Sequence, residues 1–422
     1  VTPPGEGPAL PIVVVGAGAA GLMAAIHAAG GVAPVLLLER TPDGGRKILI
    51  SGGGRCNVLP SVLDPRDFVT ASSSNTLKKI LLSWPLDRQR AFFQEVLGLH
   101  LVLEPETGKL FPEGNRARDV RDRLVEEARR RGVEFRSSTP VGAVEPHPHG
   151  GWWVRPEGGL PAIRAGALIL ATGGLSVPAT GSDGSGLRMA EALGHTIHPL
   201  YPALTPLTES PPRHASLAGV SLPVTVEAPG TGRRTTGGFL FTHRGFSGPS
   251  VLNVSDVAVR SRLEGGHAPL TVSWTSEPHE VWDARLREGT GTVGSTVRPR
   301  LPTRLADRLL EEAGVESERP LYQLRREERR GLVAALTRWP LPWTGDEGYK
   351  KAEVTGGGVA LDQVSPRTLE SRRHPGLFLC GEMLDAFGPI GGYNFAWAWS
   401  TGRMAGTAAR RSMEGDPPAT GS

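Results

Sequence analysis

Apolar positions are densest in residues 10–39, LPIVVVGAGAAGLMAAIHAAGGVAPVLLLE, a stretch long enough to be mistaken for a membrane span. Two glycines at 30–31, Pro34 and His27 interrupt it. The pattern resolves better into a strand over 11–15, a turn GAGAAG over 16–21, a helix over 19–29 and a strand over 34–38 ending at Glu39. That is a βαβ unit, and no membrane segment is expected. Further apolar runs, LILATGG (168–174) and GLFLC (376–380), read as buried strands ending in glycine. From about 195 to 350 the character changes. LPVTVEA (222–228), GGFLFTH (237–243) and PLTVSW (269–274) read as strands bounded by glycine and proline, and PTRLADRLLEEAG (302–314) and 325–338 read as helices.

These elements predict an α/β chain with a discontinuous Rossmann-like dinucleotide-binding domain over 1–194 and 351–422. A β-rich domain (195–300 and 340–350) is inserted in it and carries a small helical subdomain (301–339). The C-terminal GDPPATGS reads as a loose tail.

Length changes little in this picture: 422 residues suit two or three domains. A net charge of +4 raises the question of nucleic acid, yet only six of the 47 basic residues are lysine. In the arginine-rich stretches 116–132 and 321–339, Glu and Asp alternate with Arg, as on solvated helix faces laced by i,i+4 pairs. The two cysteines, Cys56 and Cys380, build neither a disulfide framework nor a zinc site, so no metal is expected. The N-terminal VTPPGEGPALP lacks the basic-then-apolar pattern of a secretory signal, and a cytoplasmic protein is expected.

The βαβ unit carries GxGxxG where its chemistry needs it. Gly16 permits the tight turn, Gly18 lets backbone approach a pyrophosphate, and Gly21 lets helix pack on strand. Helix N–H groups then face the phosphates, and Glu39, at the end of the second strand, can accept ribose hydroxyls. GTGTVG (289–294) matches the same pattern without a preceding strand or a following helix, and reads as a surface loop.

After Glu39 the chain runs RTPDGGRKILISGGGRCNV. Arg46 and Lys47 can neutralise phosphate, while Gly52, Gly53 and Gly54 free backbone N–H groups to meet an extended ligand. Near the C-terminus, a strand leads through Gly381–Glu382 and a glycine-rich turn into a helix of small and aromatic residues, whose positive end can stabilise an anionic ring.

The chain resembles the two-dinucleotide-binding-domain flavoproteins and, among them, the HI0933-like (YhiN/BaiN-type) group. The resemblance rests on GAGAAGLMAA, GRKILISGGGRCN, TGKLFP (107–112), FTHRGFSGPSVL (241–252), AEVTGGGV (352–359) and GGYNFAWAWSTG (391–402), and spans nearly the whole chain. DAFGPI, before GGYN, departs from the family pattern. What the resemblance implies is FAD, with its ring between the SGGGRCN loop and the GGYN helix start. The implied binding residues are Gly16, Ala17, Gly18, Ala19, Ala20, Gly21, Glu39, Arg40, Arg46 and Lys47. Ser51, Gly52, Gly53, Gly54, Arg55, Cys56 and Asn57 follow, then Val141 as a backbone contact to adenine. Ala171, Thr172, Gly173, Gly174, Gly381, Glu382, Gly391, Gly392, Tyr393 and Asn394 complete the set.

Catalytic groups stand out less. Cys56 is either a thiol beside the ring or a small packed side chain; His243 and Arg244 either orient an anionic or carbonyl substrate or occupy a hinge loop. The expected activity is an FAD-dependent oxidoreductase, a reductase of a conjugated C=C or carbonyl-bearing small molecule. NAD(P)H would act as a transient electron donor, since no separate domain for it is legible. Three alternatives stand beside it. They are a ribosomal RNA dihydrouridine synthase, which makes RNA a partner, an aminoacetone-type amine oxidase, and a non-catalytic flavin-binding interaction protein.

Overall fold

The structure, a computed structural model, describes residues 9–415; the N-terminal positions read for a targeting signal and the tail beyond Gly415 lie outside them. The described residues divide into two compact units, one formed by 9–200 and 354–415, the other by 201–353.

Unit 1 is built on a five-stranded parallel sheet. Its order is Leu377–Leu379, Ala167–Leu170, β1 (Ile12–Val15), β2 (Val35–Leu38) and Glu134–Arg136. Ile12 pairs with both Ala167 and Val35, which puts the first strand at the centre. Every residue of the three inner strands and of the edge strand Leu377–Leu379 is buried, as a sheet covered on both faces requires. The expected strands and the 19–29 helix appear within a residue or so at each end, the helix as α1 (Ala19–Ala28).

Against α1 lies the 22-residue C-terminal helix Tyr393–Glu414. Its Gly402 and Gly406 sit so close that a Cβ would come within 2.3 Å of the Ala20 carbonyl oxygen and 2.1 Å of that of Ala24. Two helix backbones therefore touch, which fixes the C-terminal helix start relative to the GxGxxG turn. Two three-stranded antiparallel sheets also belong to the unit, Leu59–Pro60 with Lys109–Pro112 and Leu101–Glu104, and Val141–Pro146 with Trp152–Pro156 and Ile163–Ala165.

Unit 2 carries a seven-stranded antiparallel sheet in which Ser221–Ala228 and Arg233–Phe241 form the long central pair. Helices His279–Glu288, Thr303–Glu312 and Arg326–Thr337 share one apolar core with it, centred on Phe239, Phe241, Phe246, Trp274 and Trp339. One expectation needs correction. A short helix, Val293–Val297, does follow GTGTVG, because Thr292 and Ser295 form a reciprocal capping box at its start. The segment before it is the helix His279–Glu288, not a strand, so the excluded dinucleotide turn stays excluded. No helix among the described residues is long and apolar enough to cross a membrane.

Candidate cofactor and active site

The glycines of the first turn divide by what surrounds them. A Cβ on Gly16 would lie 2.6 Å from the Ala171 carbonyl oxygen, and one on Gly21 only 1.7 Å from that of Gly16. Both are demanded by the protein's own packing. Gly18 is not: it has φ −74° and nothing within 4 Å of an added Cβ. It caps α1 without a side-chain hydrogen bond, so the first N–H groups of that helix are left to a ligand or solvent.

Glu39 is buried at the end of β2 and held rigidly. Its Oε2 accepts the Ala17 N–H at 2.7 Å, and its Oε1 accepts the Thr41 N–H and Oγ1–H at 2.8 and 2.7 Å. Three of a carboxylate's roughly four acceptor positions are thus filled. Its backbone is bracketed by Arg136 and Thr139, two residues before Val141. Arg40 pairs with Asp183 of the TGSDGSG segment, and Arg46 with Asp43.

Lys47 reaches across the sequence. Its ammonium donates to Glu382 at 2.5 Å and to the Ser176 hydroxyl at 2.6 Å. Ser176 donates in turn to Glu382, which also accepts the Thr355 N–H. Gly174 lies in this knot: its Cβ would fall 2.3 Å from Thr355 Oγ1. Beside it Thr172 Oγ1 is buried without a partner. It is packed against Gly186, whose added Cβ would lie 1.9 Å from it, so it is enclosed by the unit itself. Ser176, Thr355 and Thr41 escaped sequence reasoning. Only Thr355 had a signal, its place within AEVTGGGV.

Three successive glycines, 52–54, all adopt left-handed φ (56°, 67° and 86°), which no β-carbon residue tolerates well in series. A Cβ on Gly52 would press on Asn57 and Phe111, whereas Gly53 and Gly54 face open space. Arg55 is stacked over Phe111 at 4.1 Å and paired with Glu104. The C-terminal helix start packs on the strands that follow this loop. A Cβ on Gly392 would meet the Leu59–Pro60 backbone, and one on Gly391 the side chain of Lys109. Trp399 Nε1 donates to the Val58 carbonyl and Trp397 Nε1 to that of Gly381. Asn394 turns its amide to Gly388, leaving the helix start without a side-chain cap. Burial raises the Tyr393 phenol, with Asp67 adding to the shift. SGGGRCN, Gly381 and GGYN thus converge in one unit.

Cys56 is fully buried, and burial pushes its thiol up to about 12, against a hydrogen bond with Ser51. A thiol so placed holds its proton at neutral pH. We expect iodoacetamide at pH 8 to leave Cys56 unmodified in the native protein over an hour and to label it fully in guanidinium, read by peptide mass. Fast native labelling would contradict the burial. His243 and Arg244 sit exposed on the turn between Arg233–Phe241 and Gly245–Ser247 in unit 2.

The parallel sheet, the GxGxxG turn, the acidic β2 end and the convergent glycine loops define an FAD-dependent oxidoreductase. The model of the HI0933-like protein Rossmann domain matches residues 10–408. The chain is 33% identical over 395 residues to the ribosomal RNA dihydrouridine synthase of Escherichia coli K12, covering 92% of this chain and 95% of that protein. It is likewise 33% identical over 411 residues to the 3-dehydro-bile acid delta(4,6)-reductase of Clostridium scindens, covering 94% and 98%. Among solved structures, the FrdA chain of E. coli quinol fumarate reductase superposes with a TM-score of 0.50 at 17% identity, covering 98% of this chain and 71% of that one. That likeness is one of fold. The chain belongs to the HI0933-like family.

Proposed function

We propose that this chain reduces a carbon–carbon double bond conjugated to a carbonyl in a small molecule, and that unit 1 is its FAD-binding domain. The observation that carries the cofactor's placement is the set of backbones left open at Gly18, Gly53 and Gly54. The N–H groups at Gly18–Ala20 and Arg46 would hold the phosphates, that of Ala17 being taken by Glu39, and Glu39 would hold a ribose hydroxyl at its remaining acceptor position. Ala171–Gly174, Gly381 and Glu382 would line the middle of the cofactor, with Val141 at its adenine. Ser51–Asn57 and Gly391–Asn394 would flank the ring. FAD, when bound, supplies two-electron redox chemistry.

The chain's own residues do the rest. Lys47, neutralised by Glu382, fixes the spacing between the Arg46–Ile50 helix and the 381–383 turn rather than offering a free charge. The uncapped start of Tyr393–Glu414 presents partial positive charge where an anionic ring edge would lie. Cys56 packs and keeps its proton. His243 and Arg244 are the candidates for recognising the acceptor's carbonyl.

The substrate class follows from what two relatives' names share. A 3-oxo steroid with 4,6 unsaturation and the uracil of uridine both present a C=C conjugated to a carbonyl. The match over nearly the full length of an RNA-acting relative favours a second reading, in which that group is a uridine of RNA. We expect the purified protein to carry a flavin absorption band that NADPH or NADH bleaches anaerobically and that an enone restores. Restoration by a ribosomal RNA fragment but no free enone would select the second reading. A band restored only by oxygen, or no band after adding FAD, would overturn both. Replacing Glu39 by alanine strands the Ala17 and Thr41 donors as well as the ribose contact. Flavin occupancy after gel filtration is expected to fall by about tenfold, since a lost charged hydrogen bond is worth roughly 1.5–3 kcal/mol; unchanged occupancy would count against the assignment.

A further inference from the structure

The second half of the C-terminal helix borders a cleft of about 310 Å³ in unit 1. By the rise of an α-helix, Arg403 and Arg411 lie about 15 and 27 Å along the axis from Tyr393, so the cleft is remote from the glycine loops. Its walls carry three guanidinium groups, of Arg367, Arg403 and Arg411, beside the hydroxyls of Thr368 and Thr407. The only carboxylate among the lining residues is Glu370, and its Oε1 already accepts the Gly376 N–H at 2.8 Å. None of the three arginines has an ion-pair partner among the described residues.

The arginine-rich faces elsewhere mix paired and unpaired arginines: Arg118, Arg129, Arg326 and Arg330 have no ion pair among the described residues, whereas three unpaired arginines line this one cleft. Arg130 and Arg131 share Glu127, Arg285 is held by Glu277, and Arg329 by Asp283. Arg403 is also fixed, stacked over Trp84 at 5.3 Å. Burial lowers its pKa and the charge of Arg411 lowers it further, so the two cations disfavour each other, with Glu370 the one carboxylate in the lining against three arginines. A cleft lined by three arginines, one of them fixed on Trp84, and by two threonines is complementary to a multiply charged oxyanion. Guanidinium forks match phosphate oxygens in particular, in bidentate geometry.

We propose that this cleft binds a phosphate group, presented either by a free polyphosphate or by the backbone of an RNA strand. The two sources share the contacting chemistry and differ in what lies beyond the cleft. The test uses the FAD-loaded protein, so that the dinucleotide loops are filled. Inorganic pyrophosphate and a short single-stranded oligoribonucleotide are titrated separately by calorimetry against wild type and the R367E/R411E double variant. Both substituted side chains are exposed, and a retained flavin band and melting temperature certify folding. Saturable binding that weakens at least about tenfold in the variant is expected, because two charge-assisted contacts are reversed. Pyrophosphate binding would assign a free ligand; binding of the oligoribonucleotide alone would assign a strand. If neither binds wild type, or the variant binds as wild type does, the proposal is wrong. Flavin content and reductase activity report on the glycine loops and stay separable from either outcome.

Discussion

Replacing Gly21 by alanine is expected to leave no stably folded, flavin-loaded protein. The new methyl carbon would sit 1.7 Å from the Gly16 carbonyl oxygen and 3.3 Å from the Ala171 side chain. The obstacle is the backbone of the turn that leaves the central strand, so no rotamer change relieves it. Overpacking of an ordinary core site destabilises by about 1–3 kcal/mol, and this contact is tighter than such sites present. Helix α1 would have to lift from β1, and with it the Gly402 and Gly406 contacts to Ala20 and Ala24 that seat the C-terminal helix.

Alanine at Gly18, three residues earlier, separates folding from binding. Its φ is ordinary and its surroundings are empty, so the melting temperature of the flavin-free protein should move by no more than a few degrees, the scale of about 1 kcal/mol at a helix cap. Flavin occupancy should nevertheless fall at least about tenfold if pyrophosphate lies on this backbone. Absorbance ratios after gel filtration and thermal melts of both variants decide it. Full flavin retention in the Gly18 variant would place the phosphates elsewhere.

The same contrast explains what the sequence could and could not disclose. The strands Ile12–Val15 and Val35–Leu38 were legible because a sheet covered on both faces leaves uninterrupted apolar runs. The edge strand Glu134–Arg136 was not, since EFR is mostly exposed and resembles any charged segment. Likewise the capping box at Thr292 made a helix where proline at 299 argued against a long one; five residues were enough. The glycine loops announced a close approach of something to backbone, but the role of Lys47 was hidden. Its partners, Ser176 and Glu382, stand 129 and 335 residues away. No periodicity encodes such a pairing; only the parallel sheet, by bringing the ends of its strands to one edge, creates it.

Unit 2 holds the other large expected effect. His214 lies buried between two carboxylates, its Nδ1 2.9 Å from Glu209 and its Nε2 2.7 Å from Glu312. Glu312 also accepts from Trp339 Nε1 and Arg308. Burial pulls the imidazole's pKa down, but hydrogen bonds to Glu312 and Glu209 outweigh it, and the net shift is upward. Burial pushes the Glu312 carboxyl up, while hydrogen bonds from His214, Trp339 and Arg308 bring it down to about 2. The folded unit therefore binds the histidine proton more tightly than the unfolded chain does. That stabilisation is complete below the ordinary histidine range and is lost as pH rises through the raised value. The Glu312 contribution has the opposite sense: present above the ordinary carboxylate range, it is lost as pH falls toward about 2. Replacing His214 by leucine leaves the Glu209 carboxylate, 4% exposed, without its cation. Breaking one side of a buried pair destabilises by about 3–5 kcal/mol. Urea unfolding, read by amide exchange of unit 2 peptides, should show that loss near pH 6, and a smaller one as pH rises through the raised value and the wild-type imidazolium is itself discharged. A loss that stayed the same across that range would mean that His214 is held there by packing and not by its charge.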